Sequence, residues 1–400
     1  MCRLSTASLF LCLCLAERTQ SNGGSLRDNM RELHSRFAVG LYQTLAGTEN
    51  NSNLIVSPVS VSLSLGLLQL GARGSTLAQL EGALGYNVND VQVQDFLVRL
   101  QGSVGDASQG MWLQQATALF IQSGVQLLTE FKHHAEAWAN TSLVRSNFSQ
   151  PNQTHSLLGS PTLVRLGHQR STDDTWPVQS GGSSSGEPSG SGEPQGEALW
   201  WGQRLQMALV NTVAFRGIWQ KQFLFTNTQN LPFSLSDGTA VKVPMMYQAT
   251  EVNFGQFRTA SEQRYTVVEL PYLGRSLSLL LALPSDRKTP LSSLETQLSP
   301  RQVASWDTGL RRTKMDVFLP KFKMQNKFNL RSVLPSIGIS DAFSPTAADF
   351  TGISVEEGLY VSEAFHESSI EVTEDGTKAA AATGSILFMG RVTNPADQAP

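Results

Sequence analysis

The stretch that most restricts the fold runs from Ser57 to Ala72 and reads SPVSVSLSLGLLQLGA. Ser57 suits a helix cap, and Pro58 suits the first helical position, where an amide hydrogen would have no partner. The residues that follow are apolar on nearly every face. A helix without a polar face has to be enclosed on all sides, so a buried helix in a large domain is predicted. A chain of 400 residues, 40% of them hydrophobic, can supply that enclosure as one unit.

Other segments show either of two periods. Met30, Leu33, Phe37, Leu41 and Leu45 recur at helical spacing. Ser75 or Thr76 opens a short helix carrying Leu77, Leu80 and Leu84, and Thr129–Asn140 is helical with Phe131, Ala135 and Trp138 inward. Gln114–Gln122 alternates as a strand does, and Met207–Phe215 reads as a strand buried on both faces. Tyr265–Leu270 and Leu277–Leu283 are expected to pair across a turn at Leu273–Arg275, with further strands at Met315–Leu319 and Ile386–Met389. Helices fill the first third and strands the last half. That order predicts an α+β fold, not repeating βαβ units. Between about residues 159 and 197 the chain turns to Gly, Ser and Pro without periodicity, which predicts a disordered insertion.

The N-terminus carries Arg3, an apolar run Leu9–Leu15, and the small residue Ala16 before a polar stretch. This is the layout of a signal peptide over residues 1–16, too short to cross a bilayer. Cys2, Cys12 and Cys14 all lie inside it, so the mature chain would hold neither thiol nor disulfide. Sequons at Asn50, Asn140, Asn147 and Asn152 add candidate glycosylation sites. The expectation is a secreted, extracellular glycoprotein.

Composition and motifs remove several other classes. A net charge of −3 gives no footprint for nucleic acid or an anionic membrane. Gly182–Gly186 satisfies G-x-S-x-G, but a nucleophile elbow needs a strand before it and a helix after it, and this copy lies in low-complexity sequence. His133 and His134 lack the carboxylate or histidine spacing of a metal site and read as exposed helix residues. No nucleotide or zinc pattern occurs. The chain is read as no enzyme, with no catalytic residue, no metal and no cofactor.

Several segments in order resemble the serpin family: Asn53–Leu80, Leu209–Phe223, Val241–Gln248, Val268–Gly274, Val317–Met324, Leu334–Ser354 and Ser362–Pro395. The character of Leu68–Leu84 and the chain length lean toward the nexin and plasminogen-activator-inhibitor branch, clade E. The resemblance implies a single domain over residues 26–400, with helices packed on a large central mixed sheet beside smaller sheets. It implies a suicide substrate for a serine protease, in which a cleaved loop enters the main sheet as a new strand. The partner would be a trypsin-like serine protease and the chain a monomer.

In that mechanism the hinge falls on Glu374, Asp375, Gly376, Thr377, Lys378, Ala379, Ala380, Ala381, Ala382 and Thr383. Strand alternation would put Thr377, Ala379, Ala381 and Thr383 on one inward face, and all four are small. Gly376 would lend backbone freedom where the loop reverses. On propensity alone, Lys378–Ala382 would instead be an alanine-rich helix. The resemblance also implies a sheet-opening polar cluster of Ser57, Ser60, Asn211 and His366, and a buried tryptophan, Trp219, near the loop entry. Heparin binding is unsupported, because Val91–Gly110 holds only Arg99 as a cation.

The chain departs from the family pattern in two places. After Thr383 the family would continue through the distal loop and two strands, about 25–30 residues, counting ordinary strand lengths. Here AAAAT runs directly into GSILFMGRV. No scissile bond or target protease can be assigned, since counting onward lands on Gly390–Arg391 in apparent core strand. The C-terminal sheet is expected to lack a central strand and to expose apolar edges. The second departure is Asn152–Leu199, where the low-complexity loop replaces a helix expected across the main sheet. The alternative to inhibition is a non-inhibitory serpin-like chain with a truncated loop, acting by binding or inactive.

Overall fold

The computed structural model describes residues 9–14, 24–49, 52–94, 97, 112–137, 141–148, 206–275, 277–286, 289–378 and 386–397. The predicted disordered insertion, the G-x-S-x-G copy, most of Val91–Gly110 and the sequons at Asn50, Asn140 and Asn152 lie outside them. In chain order the elements are β1 (Leu9–Cys14), α1 (Gly24–Thr48), β2 (Leu54–Val56), α2 (Pro58–Gly71), α3 (Gly74–Leu84), β3 (Trp112–Gln122), α4 (Thr129–Ala137), β4 (Thr141–Ser146) and β5 (Gln206–Ile218). There follow β6 (Gln229–Ser234), β7 (Ala240–Arg258), β8 (Arg264–Pro271), β9 (Ser278–Pro284), α5 (Leu291–Glu295), α6 (Pro300–Gly309), β10 (Arg311–Pro320) and β11 (Phe322–Asn329). Short 3-10 turns lead to β12 (Tyr360–Val372), β13 (Gly376–Lys378) and β14 (Ile386–Val392).

The helix that most constrained the sequence behaves as predicted. Ser57 caps α2 by accepting from the Ser60 amide, Pro58 opens it, and every residue from Pro58 to Gly71 is buried. It packs against β5 on one side and β14 on the other, so it joins the two sheets. The other expected helices form with shifted ends. α3 opens at Gly74 behind Arg73 and not at Ser75 or Thr76.

One sheet runs β11-β12-β13-β5-β3-β4, with β12 also paired directly to β5. The other runs β10-β7-β8-β9-β1-β14-β2, with β6 attached to β7. β8 and β9 pair antiparallel as expected, from Tyr265 opposite Pro284 to Pro271 opposite Ser278. Arg275 takes a positive φ of 58° in the turn between them.

The second sheet differs from expectation. It does not lack a central strand, because β1 lies between β9 and β14, antiparallel to both. Its residues come from the segment whose composition predicted a leader.

Sheet and helices are tied together at Arg391 of β14, which is 2% exposed. Its guanidinium donates to Glu295 Oε2 at 3.2 Å, to the Ser52 carbonyl at 2.9 Å, and to the Glu49 carbonyl. Tyr42 of α1 donates its hydroxyl to the other Glu295 oxygen. A bond next to Arg391 is therefore inaccessible to a protease, and Gly390–Arg391 is not a scissile bond. Removing one partner of a buried ion pair strands the other charge away from water. Arg391→Met is accordingly expected to cost about 3–5 kcal/mol, read as a lowered urea midpoint with unchanged slope.

Candidate strand-insertion site

The site forms where β12 and β5 part. The two strands pair in parallel from Tyr360 opposite Gln206 to Glu367 opposite Thr212. Beyond that point β13 lies between them. It pairs antiparallel with β12 through Glu371–Lys378 and Val372–Thr377, and with β5 through Gly376–Ile218, Thr377–Gly217 and Lys378–Arg216. The start of the predicted hinge is thus a strand already set in the main sheet. The helical alternative for this segment fails at Lys378, which is extended. Residues 379–385, with Ala379–Thr383 of the hinge, lie outside the described residues.

Glu374 and Asp375 turn the chain from β12 into β13, closed by the Thr373 amide donating to the Gly376 carbonyl at 2.9 Å. Glu374 is 2% exposed and held by Lys321 Nζ at 3.1 Å and the Thr228 hydroxyl at 3.0 Å. Burial pushes its carboxyl pKa up most strongly, but its hydrogen bonds and the Lys321 charge together outweigh that and hold it below the usual range. The Phe223 amide donates to the Glu374 carbonyl and the Trp219 amide to that of Asp375, both at 3.0 Å.

Trp219 is buried, as the resemblance implied. Its indole donates to the Thr373 carbonyl at 2.9 Å. Its ring stacks on Tyr272 at 4.7 Å with an interplanar angle of 10°. The Tyr272 hydroxyl, whose pKa is raised by burial, lies beside Thr377 of the inserted strand. The loop entry is therefore walled by two stacked rings that touch the hinge on its backbone and on its first inward side chain.

Gly376 has a reason different from the expected flexibility. It has no positive φ. A Cβ there would lie 2.0 Å from the Gly217 carbonyl oxygen, so the residue allows close backbone approach between β13 and β5.

The four polar residues implied by the resemblance are brought together, and Thr117 joins them. His366 and Asn211 face each other across the β12–β5 pairing, and Asn211 faces Thr117 across β5–β3. The Ser57 amide donates to His366 Nε2 at 3.1 Å, so the ring proton sits on Nδ1 and is donated to Asn211 Oδ1 at 3.2 Å. Ser60 donates its hydroxyl to the same oxygen, and Asn211 Nδ2 donates to Thr117 Oγ1 at 3.0 Å. All five residues are at most 1% exposed. Sequence reasoning missed Thr117 because it is simply the polar member of an Ala-Thr-Ala stretch, without a local signal. Lys321 and Thr228 were missed because both lie far from Glu374 along the chain.

Other candidates stand apart from this site. His133 and His134 are exposed on α4, edge to face at 6.1 Å. Asn147 is exposed after β4. A cleft of about 490 Å³ beside Trp219 is lined by Lys221, Gln248, Glu251 and Arg312 among others.

A family model for "Serpin (serine protease inhibitor)" matches residues 32–158 and 202–397, and the chain belongs to the serpin family. The match breaks over the low-complexity stretch. "Probable serpin E3" of Danio rerio is 57% identical, covering 99% of this chain and 100% of that protein. That alignment spans 426 positions, more than this chain's 400 residues, so the relative carries residues without a counterpart here. Glia-derived nexin of Mus musculus is 30% identical over 90% of this chain and 85% of its own length. Plasminogen activator inhibitor 1 of Neovison vison is 28% identical over 98% and 100%. These relatives place the chain in the nexin and plasminogen-activator-inhibitor branch, clade E. Among solved structures, native protease nexin-1 with heparin superposes with a TM-score of 0.76 at 26% identity, over 92% of this chain and all of that one.

Two outcomes follow from the geometry. Burial lowers the His366 pKa from 6.5 to about 3 and that of His34 to about 4. Both are depressed below the unfolded value, so their contribution is fully present above about pH 6.5. It is lost as the pH falls toward the folded values, by up to about 1.4 kcal/mol per pH unit for each residue. Urea midpoints measured from pH 7.5 to 5 should fall, and His366→Gln should flatten part of that slope while leaving the His34 share. Separately, Gly376→Val should expel β13. Amides of Ile218 and Val372 should then exchange faster, and Trp219 emission should shift to longer wavelength.

Proposed function

We propose that the chain is a secreted serine-protease inhibitor of serpin type, working by insertion of its hinge into the main sheet. The observation that carries this reading is β13, which continues from β12 through a tight turn and occupies the opening between β12 and β5. Further insertion would prolong that strand toward His366 and Asn211, where the pairing of β12 with β5 begins. Protein–protein hydrogen bonds there would be exchanged for equivalent bonds to the new strand. The hinge residues Glu374–Thr383 and the cluster Ser57, Ser60, Thr117, Asn211 and His366 would carry the event, with Trp219 and Tyr272 at the entry. The N-terminal layout and the sequons support routing through the secretory pathway. Among the described residues no helix is long and apolar enough to cross a membrane.

The partner class is a serine protease, and trypsin-like specificity is the proposed narrowing. No acid, base or nucleophile is needed from this chain, since the protease supplies its own.

A second reading rests on one measurement of chain length. Seven residues join Lys378 of β13 to Ile386 of β14. Fully extended they reach about 25 Å, and both ends are committed to strands. Such a connection is too short to be bait and inserted strand in turn, which favours a chain that binds proteases or other ligands without trapping them.

One experiment separates these readings. The folded chain is incubated with a panel of trypsin-like proteases and run under denaturing conditions. A band at the summed mass of chain and protease, resistant to boiling in detergent, is expected for the inhibitor. Loss of that band across the panel, with the chain recovered uncut, rejects trapping and leaves binding.

A further inference from the structure

The cleft beside Trp219 shares a wall with the loop entry but is not part of the hinge. Its deep lining is apolar, with Trp219, Phe223, Val252 and Leu270 each at most 4% exposed. Its volume of about 490 Å³ is in the range that takes a small organic molecule. Lys221, Arg275, Arg312 and Glu251 are exposed around it.

These rim charges do not cancel. Arg312 pairs through Nε with Glu251 Oε2 at 2.8 Å. Lys221 and Arg275 form no ion pair among the described residues. Lys221 Nζ donates to the Ala249 carbonyl and Arg275 Nε to Gln220 Oε1, both at 3.0 Å, and both acceptors are uncharged. Two positive charges thus line an apolar cleft in a chain whose net charge is −3.

Two further features are costly unless the cleft is used. Arg275 sits at a φ of 58°, beside Gly274 at 80°. Glycine would be the least strained residue there, so the turn carries an arginine that its own geometry disfavours. Gln248, in the cleft wall, is 8% exposed. Its Nε2 donates to the Lys221 carbonyl at 3.4 Å, while its Oε1 has no partner among the described residues. Buried amide oxygens normally have a donor, and an N–H on a ligand would complete this one.

The segment that walls the cleft also grips the hinge. The amides of Trp219 and Phe223 donate to the carbonyls of Asp375 and Glu374, both at 3.0 Å. The Gln220 amide between them donates to the Pro271 carbonyl at 2.9 Å, on the far side of the cleft lining. A ligand braced by Lys221 and Arg275 would therefore stiffen Trp219–Phe223 and, through those bonds, the turn at Glu374 and Asp375.

We propose that this cleft binds a small amphipathic carboxylate and that the bound ligand steadies the hinge turn. The apolar body lies on Val252 and Leu270, and its charge is met by Lys221 and Arg275. Such binding is independent of whether the chain traps a protease.

Indoleacetate is a suitable probe, because it carries a flat apolar body, a carboxylate and one N–H. Titrated into the folded full-length chain, it is expected to saturate a single site below about 1 mM. Neutral indoleacetamide should bind about tenfold more weakly, and Lys221→Gln and Arg275→Gly should each weaken indoleacetate about tenfold, the share of one charged hydrogen bond. Arg275→Gly separates binding from folding, since glycine suits that φ and its urea midpoint is expected not to fall. Lys242→Gln, exposed on β7 outside the cleft, should bind as the unaltered chain does. Saturating indoleacetate is expected to slow hydrogen exchange at the Trp219 and Phe223 amides, and to leave it unchanged in Arg275→Gly at the same concentration. No saturable site, equal affinity for the amide, full affinity in both cleft variants, or binding without slower exchange overturns the proposal.

Discussion

The direct pairing of β12 with β5 ends at Glu367 and Thr212, short of where either strand stops. Everything specific to this protein is arranged around that incomplete contact. On one side of it the strands are joined and underpinned by His366, Asn211, Thr117 and the capped start of α2. On the other they are held apart by three residues of β13. A sheet that is closed at one end and wedged at the other is poised between two pairings of similar kind. Hydrogen bonds between strands are largely interchangeable, so extending the wedge replaces bonds and does not lose them. The polar cluster at the junction suits this role, because each of its members has a hydrogen-bond partner yet none is locked by covalent or metal bonds.

The second sheet poses the converse problem. Its open position would expose two edges inside the core, and β1 removes both at once. The two sheets are coupled through α2, which touches β5 and β14, and through the seven residues that lead from β13 to β14. Movement of the hinge in one sheet would therefore pull on a strand whose anchor, Arg391, is buried in the other. That short tether distinguishes this chain from a serpin with a long exposed loop.

Much of this was legible in the sequence. The enclosed α2 helix, the β8–β9 hairpin, the hinge and four of the five cluster residues followed from local pattern or from resemblance. Misses have a common cause. Thr117 and Lys321 matter because of residues distant along the chain, and side-chain type alone carries no record of such partners. Gly376 was read as a flexible joint, whereas its requirement comes from the Gly217 carbonyl on another strand. The expected gap in the second sheet does not occur, because a strand from the N-terminus lies between β9 and β14.

By itself, then, the sequence determined several of the helices and strands, that α2 would be buried, and that the chain resembles a serpin. Period and polarity are local properties, and a few residues suffice to express them. Only the tertiary structure decided which strands become neighbours. LFLCLC reads equally well as a leader or as a core strand, because both need a short apolar run. The position between β9 and β14, built by residues more than two hundred positions away, makes the same six residues part of a sheet.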